Sequence, residues 1–303
     1  MLRWRLLVAA IIIVPLFALL WADYHWNFGV PGIWLWPLPL VCSLLGAAEV
    51  LDLLAAKNLR PSAWAVYLGS LLVAIATMIP LLSVFDSASS TGDRALMRLE
   101  WPLAAFMIGI VLVFVAEMRR YREPGVAMVN VSLGVFTVAY VALSMAFLVV
   151  LRVYHGNRWG MAAILSLILV TKMSDTGAYT FGRLLGRRKM APHLSPGKTI
   201  EGGIGGIVTA CGCSVLYFQY ALPLIVGEDA TPPPVWACLA YGAIVTVAGV
   251  IGDLAESLLK RDMERKDSSR WIPGLGGVLD ILDSLLLAAP AGYLCWVSGM
   301  LGP

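Results

Sequence analysis

Charged residues are scarce in this chain. Only 14% of its 303 residues are charged and 59% are hydrophobic, whereas a typical soluble domain has about 25% charged residues. This shortage excludes an ordinary soluble fold. Apolar segments recur along the chain, and each has the roughly 17–25 residues that a helix needs to cross a bilayer. The composition therefore predicts an all-α, polytopic integral membrane protein.

Cysteine and histidine are also rare. The five cysteines lie in or beside apolar runs, and Cys211 and Cys213 have neither a metal-binding spacing nor a second pair to complete a site. The pattern indicates small buried side chains rather than a cysteine-based metal centre. His193 is one of three histidines, and we interpret it as a surface residue.

Nine apolar spans are predicted, near residues 6–22, 33–54, 63–85, 101–117, 130–151, 159–181, 203–222, 235–252 and 277–299. Seventeen of the 22 lysines and arginines precede span one or follow the even-numbered spans. Four lie in the alternate loops and Lys172 lies inside a span. By the positive-inside rule the N-terminus is cytoplasmic. A cleaved signal peptide is the alternative for span one, but its apolar run is long and no small-x-small cleavage site follows. We therefore expect a retained helix.

The chain is predicted to divide into a transmembrane scaffold of about five helices, residues 1–152, and a catalytic region, residues 153–303. In the scaffold, Glu49 and Asp52 lie near the cytoplasmic end of span two, and Glu117 holds the matching place in span four. They are either helix-end charges partnered by Lys57 and Arg119, or carboxylates that face a polar cavity.

Polar residues concentrate in the second half. Lys172 and Asp175 are three apart on one helix face, so they can pair inside the membrane. Asp175 belongs to the stretch SDTGAYTFG, residues 174–182. The alternative interpretation is that Gly177 and Gly182 serve close helix packing and that Asp175 is merely paired. The next loop carries Ser195, Lys198 and Thr199 ahead of a span. Such donors at a helix N-terminus suit a phosphate, although an ordinary basic loop that touches anionic lipid is the alternative. A P-loop is excluded, because its first glycine would have to stand at Pro192.

Four acidic residues flank the last two spans at spacings of three, and they are Asp253, Glu256, Asp280 and Asp283. Carboxylates this dense near a membrane must be neutralised by protons, basic partners or a cation. Oxygen ligands without histidine or cysteine favour Mg²⁺ over zinc. Gly276 and Gly277 would let the backbone approach an anion. The alternative is a structural network in which these carboxylates only neutralise nearby bases.

These residues resemble the signature of the phosphatidate cytidylyltransferase (CDP-diacylglycerol synthase) family. The resemblance covers roughly the C-terminal half: Asp175 to Tyr179, Ser195 to Gly202, Ser257-x-x-Lys260-Arg261, Lys266-Asp267, and Pro273 through Gly276-Gly277 to Asp280 and Asp283. Two positions depart from it, since Leu275 replaces the family's histidine and Ile281 its arginine. Any role of those two side chains must fall to another residue here.

The resemblance implies that CTP and phosphatidate react to give CDP-diacylglycerol and pyrophosphate. It assigns Asp253, Asp280 and Asp283 to Mg²⁺, with a monovalent cation such as K⁺ beside it. The implied CTP-phosphate ligands are Lys198, Lys260 and Arg261, with Ser195 and Thr199 as added donors. Lys266, Gly276, Gly277 and Asp175 complete the implied site. The resemblance also implies a homodimer in a bacterial-type inner membrane, an active site that faces the cytoplasm, and no nucleic-acid partner.

Three other functions stay open at this point. A CTP-dependent lipid kinase of the dolichol or phytol type would transfer the γ-phosphoryl group to an alcohol and leave CDP. An ion-coupled transporter would use the carboxylates for its coupling ion, but the spans show no convincing internal repeat. A catalytically inactive relative would act only as a scaffold.

Overall fold

A computed structural model gives the structure of residues 2–79, 98–227, 230–269, 271 and 276–302, with side chains described from residue 11 onwards. Nine helices run through these residues: α1 Leu2–His25, α2 Pro37–Ala55, α3 Ala63–Ala76, α4 Glu100–Arg120, α5 Ala127–Arg152, α6 Gly156–Leu185, α7 Ile200–Val226, α8 Val235–Asp262 and α9 Val278–Val297. Each of α5 and α7 contains one π-helical segment, Val138–Leu143 and Tyr217–Ala221 respectively.

Seven of these helices, α2 and α4 to α9, are long and apolar enough to cross a membrane, whereas α3 and the Ile11–His25 part of α1 are shorter apolar helices. The expectation of an all-α, polytopic membrane protein is confirmed. Each predicted span corresponds to one helix, although the predicted end of span three, residues 80–85, lies outside the described residues. The count of nine crossings stays a prediction.

The chain forms two compact units. Unit 1 comprises Met1–Val153 and Asp262–Ile281, and unit 2 comprises Tyr154–Arg261 and Leu282–Pro303. In unit 1, small residues let α3 and α4 approach closely, since a Cβ added at Gly69 would lie 3.3 Å from the Gly109 Cα. Buried Val66, Val73 and Val138 fill the space beside this contact. The predicted separation of scaffold and catalytic functions at residue 152 stays a prediction.

Unit 1 also contains a buried ion pair that joins α1 to α5. Arg152, only 1% exposed, contacts Asp23 at 2.6 Å, and Asp23 is fully buried. The Asp23 carboxylate also accepts hydrogen bonds from the backbone N–H groups of Gly32 and Trp34 at 3.0 and 3.1 Å. Arg152 is one of the four basic residues predicted to lie in the alternate loops, with Arg94, Arg98 and Arg158. The structure places it inside the protein, where Asp23 supplies the counter-charge that a buried guanidinium needs.

In unit 2, glycines bring α6 and α7 together, as the packing interpretation of Gly177 and Gly182 predicts. A Cβ added at Gly177 would lie 2.4 Å from the Thr209 hydroxyl oxygen, and one at Gly182 would lie 3.1 Å from that of Thr199. Between the two helices, β1 (Lys189–Ala191) and β2 (Ser195–Thr199) form an antiparallel hairpin that was not predicted. The Thr199 side chain then caps α7 by accepting a hydrogen bond from Gly202 N at 3.1 Å.

Candidate active site

A close contact between α8 and α9 positions two of the predicted carboxylates in unit 2. A Cβ added at Gly252 would lie only 2.4 Å from the backbone oxygen of Asp283, and one at Gly249 would lie 3.5 Å from that of Ser284. The helix backbones therefore touch at this level because glycine leaves room. Asp253 follows Gly252 directly, and its side chain is near enough to Asp283 to interact with it electrostatically.

The hairpin brings a lysine to the same carboxylates. Lys198, at the end of β2, places its Nζ 2.7 Å from Asp253 Oδ2. Its side chain is 24% exposed and that of Asp253 is 32% exposed. The Lys198 Nζ atom itself is buried, so a ligand would reach the ammonium only if the side chain moved away from Asp253. The structure thus joins a residue predicted to bind phosphate to one predicted to bind a metal.

A second lysine–aspartate pair lies nearby on α6. Lys172 Nζ is 3.2 Å from Asp175 Oδ2, which confirms the pairing predicted from their spacing. The Ser284 hydroxyl donates to the same Asp175 oxygen at 3.2 Å and lies 3.5 Å from Lys172 Nζ. Asp283 is within electrostatic reach of both Lys172 and Asp175. Three carboxylates of unit 2, those of Asp175, Asp253 and Asp283, are therefore neutralised in part by two lysines, Lys172 and Lys198.

Two further predicted bases lie at the end of α8. Lys260 forms an ion pair with Glu256 one turn earlier, and Glu256 is 2% exposed. Arg261 donates from its Nε to the backbone oxygen of Leu194, in the hairpin turn, at 3.3 Å. Arg261 and Lys198 therefore both fix the hairpin to α8. Ser195 begins β2, so it belongs to the same hairpin.

The remaining predicted residues lie in unit 1, at the start of α9. Asp280 Oδ2 accepts hydrogen bonds from Gly277 N at 2.8 Å, from Ser268 N at 2.9 Å and from the Ser268 hydroxyl at 2.7 Å. Gly276 has φ +88°, and a Cβ there would lie 2.3 Å from the same Asp280 oxygen. Glycine at position 276 is thus required by the approach of Asp280. Lys266 is exposed, and Leu275 lies outside the described residues.

Two interpretations of Glu49 were open, a helix-end charge partnered by Lys57 or a carboxylate that faces a polar cavity, and the structure excludes the pairing with Lys57. The Glu49 carboxylate is 2% exposed and accepts hydrogen bonds from Ser268, Ser269, Val278 and Leu279. Lys57 pairs instead with Glu264. The apolar surroundings of Glu49 in the sequence indicated burial, but no short-range pattern could reveal partners more than 200 residues away.

Glu117, the other acidic residue of the scaffold, also has different partners from those predicted. It accepts hydrogen bonds from Arg120 Nη1 at 3.1 Å and from Asn130 Nδ2 at 3.2 Å. The sequence analysis offered Arg119 for this role. On a helix a residue three positions away shares the face of Glu117, whereas one two positions away does not, and this explains the choice of Arg120.

The carboxylates of unit 2 fit a hard cation by their chemistry, because Asp253 and Asp283 offer only oxygen donors beside each other. Among the residues that the structure describes, however, no three histidine, cysteine, aspartate or glutamate side chains gather closely enough to hold a metal ion. Lysines balance part of the charge here. Asp280, which lies three residues before Asp283 on α9, is held by the hydrogen bonds described above. The metal assignment therefore stays a proposal.

Sequence comparisons agree with the predicted family. The model of the cytidylyltransferase family matches residues 3–298, nearly the whole chain. This chain therefore belongs to the cytidylyltransferase family.

Several curated relatives are named phosphatidate cytidylyltransferase. The Haemophilus influenzae protein is 40% identical over 136 residues, which cover 45% of this chain and 46% of that protein. The Bacillus subtilis protein is 29% identical over 257 residues, 85% of this chain and 87% of that protein. The Staphylococcus saprophyticus protein is 38% identical over 154 residues, 51% and 54% of the two chains. The chain thus spans about half the length of two of these relatives and most of the third.

Proposed function

We propose that this protein is a membrane-bound phosphatidate cytidylyltransferase, which converts CTP and phosphatidate into CDP-diacylglycerol and pyrophosphate. The family match over residues 3–298 is the observation that carries the proposal, and the names of the relatives support the choice of substrates. The structure adds a cluster of lysines and carboxylates in unit 2, of the kind that a reaction between two polyanions needs.

The proposed reaction is a nucleotidyl transfer. A phosphate oxygen of phosphatidate attacks the α-phosphorus of CTP and forms the new P–O bond, while the bond between the α-phosphorus and the bridging oxygen breaks and pyrophosphate leaves. A phosphate monoester has a second pKa near 6, so about nine-tenths of the nucleophile is dianionic at pH 7 and no strong general base is needed. The protein must instead neutralise and align two molecules that repel each other.

The hairpin and the end of α8 supply the bases for the CTP phosphates in this proposal. Lys198, Lys260 and Arg261 each contact a group of the protein itself, namely Asp253, Glu256 and the Leu194 carbonyl. A phosphate would compete for the same ammonium and guanidinium groups. Thr199 accepts a hydrogen bond from Gly202, so its own hydroxyl proton can still be donated to a phosphate. Ser195 would add a second hydroxyl from β2.

In this proposal Asp253 and Asp283 would hold a Mg²⁺ ion, with a monovalent cation such as K⁺ beside it, and the family resemblance adds Asp280 to this set. When bound, these cations would neutralise charge on the transferred phosphate and on the leaving pyrophosphate. Asp175 and Lys172 would balance the charge around Asp283. Lys266 would contact substrate from the segment that precedes α9. The space beside Gly276 and Gly277 is taken by Asp280, Ser268 and Glu49, so the approach of an anion to these glycines is not part of this proposal.

Phosphatidate keeps its acyl chains in the bilayer, so we infer that the site opens toward the inner leaflet of a bacterial inner membrane and faces the cytoplasm, where CTP is available. The excess of basic residues in the loops on that side supports this orientation. A homodimer is part of the same proposal. Reporter fusions to the C-terminus test the orientation, because nine crossings place that terminus on the side opposite to the N-terminus.

The function is tested with purified protein in detergent, phosphatidate, Mg²⁺ and CTP labelled at the α-phosphate. We expect the label to enter the lipid phase as pyrophosphate is released. Asp283→Ala should lower this transfer at least about 100-fold, because loss of a group that stabilises transition-state charge costs this much or more. Glu123→Gln, which changes an exposed carboxylate on the α4–α5 loop, should leave the rate unchanged.

Two results would contradict the proposal. Transfer of a γ-label from CTP to a lipid alcohol, with CDP as the product, would show a lipid kinase. Absence of label in any lipid, with Asp283→Ala folded and indistinguishable from the unaltered protein, would show an inactive relative. Leu275 and Ile281 would then be the replacements that mark the loss of activity. A magnesium titration monitored by melting temperature tests the metal assignment without reference to turnover, since Asp283→Ala should abolish any stabilisation by the ion.

A further inference from the structure

Glu49 connects the N-terminal half of the chain to the segment that carries the family signature. Its helix, α2, lies in unit 1 together with residues 262–281. Glu49 Oε1 accepts from the Ser269 hydroxyl at 2.9 Å and from Val278 N at 2.8 Å. Glu49 Oε2 accepts from Leu279 N at 2.9 Å. The Ser268 hydroxyl lies 2.9 Å from Glu49 Oε2 and 2.7 Å from Asp280 Oδ2, so its one proton is shared between the two carboxylates. The Glu49 carboxylate thus receives three donors and part of a fourth, from both ends of this segment.

Two of these donors are the first backbone N–H groups of α9, which have no partner within the helix. Glu49 therefore caps α9 from another helix, and its negative charge lies at the positive end of the α9 dipole. There is no space for any other residue at the junction, since a Cβ at Gly277 would lie 2.2 Å from the Ser268 hydroxyl oxygen and 2.3 Å from Glu49 Oε1. Glycine at position 277 is what lets the carboxylate approach the helix.

The site requires a carboxylate and not merely a polar side chain. A glutamine here would present its NH₂ group either to Val278 N–H or to Leu279 N–H. A serine hydroxyl can rotate and accept instead of donate, but a backbone N–H cannot. Whichever way the amide is turned, one buried backbone donor therefore loses its acceptor.

We propose that Glu49 is a positioning residue for nucleotidyl transfer. It fixes the start of α9 and the Ser268–Ser269 segment. Ser268 donates its backbone N–H to Asp280 Oδ2 and places its hydroxyl between Glu49 and Asp280, so through Ser268 the Glu49 carboxylate sets the direction of the Asp280 carboxylate. Glu49 itself touches no reacting atom. The expected effect on turnover rests on the proposed function, whereas the effect on the order of the segment does not.

The experiment compares Glu49→Gln with two control variants in full-length protein. Asp52→Asn removes an exposed carboxylate three residues further along α2. Glu117→Gln removes a buried carboxylate of the same unit, whose partners are Arg120 and Asn130 rather than the signature segment. Four quantities are measured: kcat, KM for CTP, the melting temperature and the rate of trypsin cleavage. The cleavage sites follow Arg265 and Lys266, two exposed bases just before Ser268.

We expect Glu49→Gln to lower kcat about 10- to 100-fold, the range seen when residues that orient active-site ligands are removed. KM for CTP should change much less, and trypsin cleavage should become several times faster because the segment loses its anchor. Glu117→Gln can lower the melting temperature but should change neither kcat nor cleavage. Asp52→Asn should change nothing. Ser269→Ala, which removes a single donor, should shift kcat and cleavage in the same direction by a smaller factor.

Equal effects of Glu49→Gln and Glu117→Gln on every readout would overturn the proposal, because Glu49 would then contribute only to general stability. Unchanged cleavage in folded Glu49→Gln would overturn it as well. If Glu49→Gln fails to fold, Ser269→Ala decides the question by the same two readouts. Should the unaltered protein transfer no cytidylyl group, the proposed function fails, and the cleavage comparison still tests whether Glu49 orders the segment.

Discussion

Glu49 in unit 1 and Asp253 in unit 2 are both acidic residues on apolar helices, but they are neutralised in different ways. Glu49 is 2% exposed, and its contacts are with backbone N–H groups and serine hydroxyls. Asp253 is about one-third exposed and faces the ammonium of Lys198 at 2.7 Å. Glu49 is thus enclosed by neutral donors, whereas Asp253 is paired with the ammonium of a lysine and is itself partly exposed.

The difference teaches which carboxylates can exchange partners. Backbone donors are fixed by the helix that carries them, so a carboxylate bound by them keeps one position. A lysine has a long flexible stem and can leave one anion for another. In the proposed function Lys198 would exchange the Asp253 carboxylate for a phosphate. Substitutions at enclosed carboxylates should therefore lower stability or local order, whereas substitutions at the exchangeable pair should lower activity.

The largest expected effect is on stability, at the enclosed pair of Asp23 and Arg152. Arg152→Met leaves the Asp23 carboxylate buried without its counter-charge, and breaking a buried pair in this way costs about 3–5 kcal/mol. Thermal denaturation in detergent should show a large fall in melting temperature, while the fraction that stays folded keeps its specific activity. Arg158→Met, a change at an exposed arginine, is the control. An unchanged melting temperature in Arg152→Met would contradict the expectation that enclosed carboxylates need their partners for stability.

The second expected effect is on activity, at Lys198. Lys198→Met removes the ammonium that we assign to a CTP phosphate, so kcat/KM for CTP should fall about 100-fold. The melting temperature should fall less than in Arg152→Met, because the Lys198 ammonium is buried but the Asp253 side chain is 32% exposed and can be hydrated once the lysine is gone. Lys189→Met, at an exposed lysine of the same hairpin, should leave both quantities unchanged. A stability loss as large as that of Arg152→Met would show that Lys198 is structural.

The third effect tests the helix contact that places Asp253 beside Asp283. Gly252→Ala puts a methyl group where the Asp283 carbonyl leaves only 2.4 Å, and such overpacking costs about 1–3 kcal/mol. Activity should fall with stability, because α8 and α9 must move apart at the carboxylates. Gly212→Ala on α7 is the matched control, since a Cβ there meets nothing within 4 Å. It should be neutral or slightly stabilising. Equal behaviour of the two variants would contradict the close contact.

Local sequence information was enough for the elements of this fold and for one part of the site. Apolar runs gave the helices because burial in lipid demands them, and a spacing of three gave the Lys172–Asp175 pair because it places both residues on one helix face. The hairpin was missed, since strands of three and five residues leave too short a pattern. Charge in apolar surroundings singled out the carboxylates and the hairpin lysine as candidates, and resemblance to a family supplied their proposed roles.

Long-range partners were beyond sequence reasoning. Asp23 and Arg152 are 129 residues apart, and Glu49 and Leu279 are 230 apart. Nothing in either segment specifies which distant segment it meets, because that choice is made by the packing of whole helices. Arg152 was therefore interpreted as a loop charge and Lys57 as the partner of Glu49. A single charged residue in an apolar helix predicts that a partner exists, but it does not identify the partner.

The smallest effect is expected at Lys57, the partner that the sequence suggested for Glu49. Its actual pair with Glu264 is exposed, with side chains 39% and 79% accessible. The hydrogen bond from Lys57 lowers the pKa of the Glu264 carboxyl, so any stabilisation is present at neutral pH and is lost as the pH falls through that lowered pKa. Water and salt screen such a pair. Lys57→Met should therefore leave the melting temperature, kcat and the trypsin cleavage rate unchanged at neutral pH. If it instead reproduced the effects of Glu49→Gln, the signature segment would be held by this surface pair, and the distinction between enclosed and exposed charges would fail.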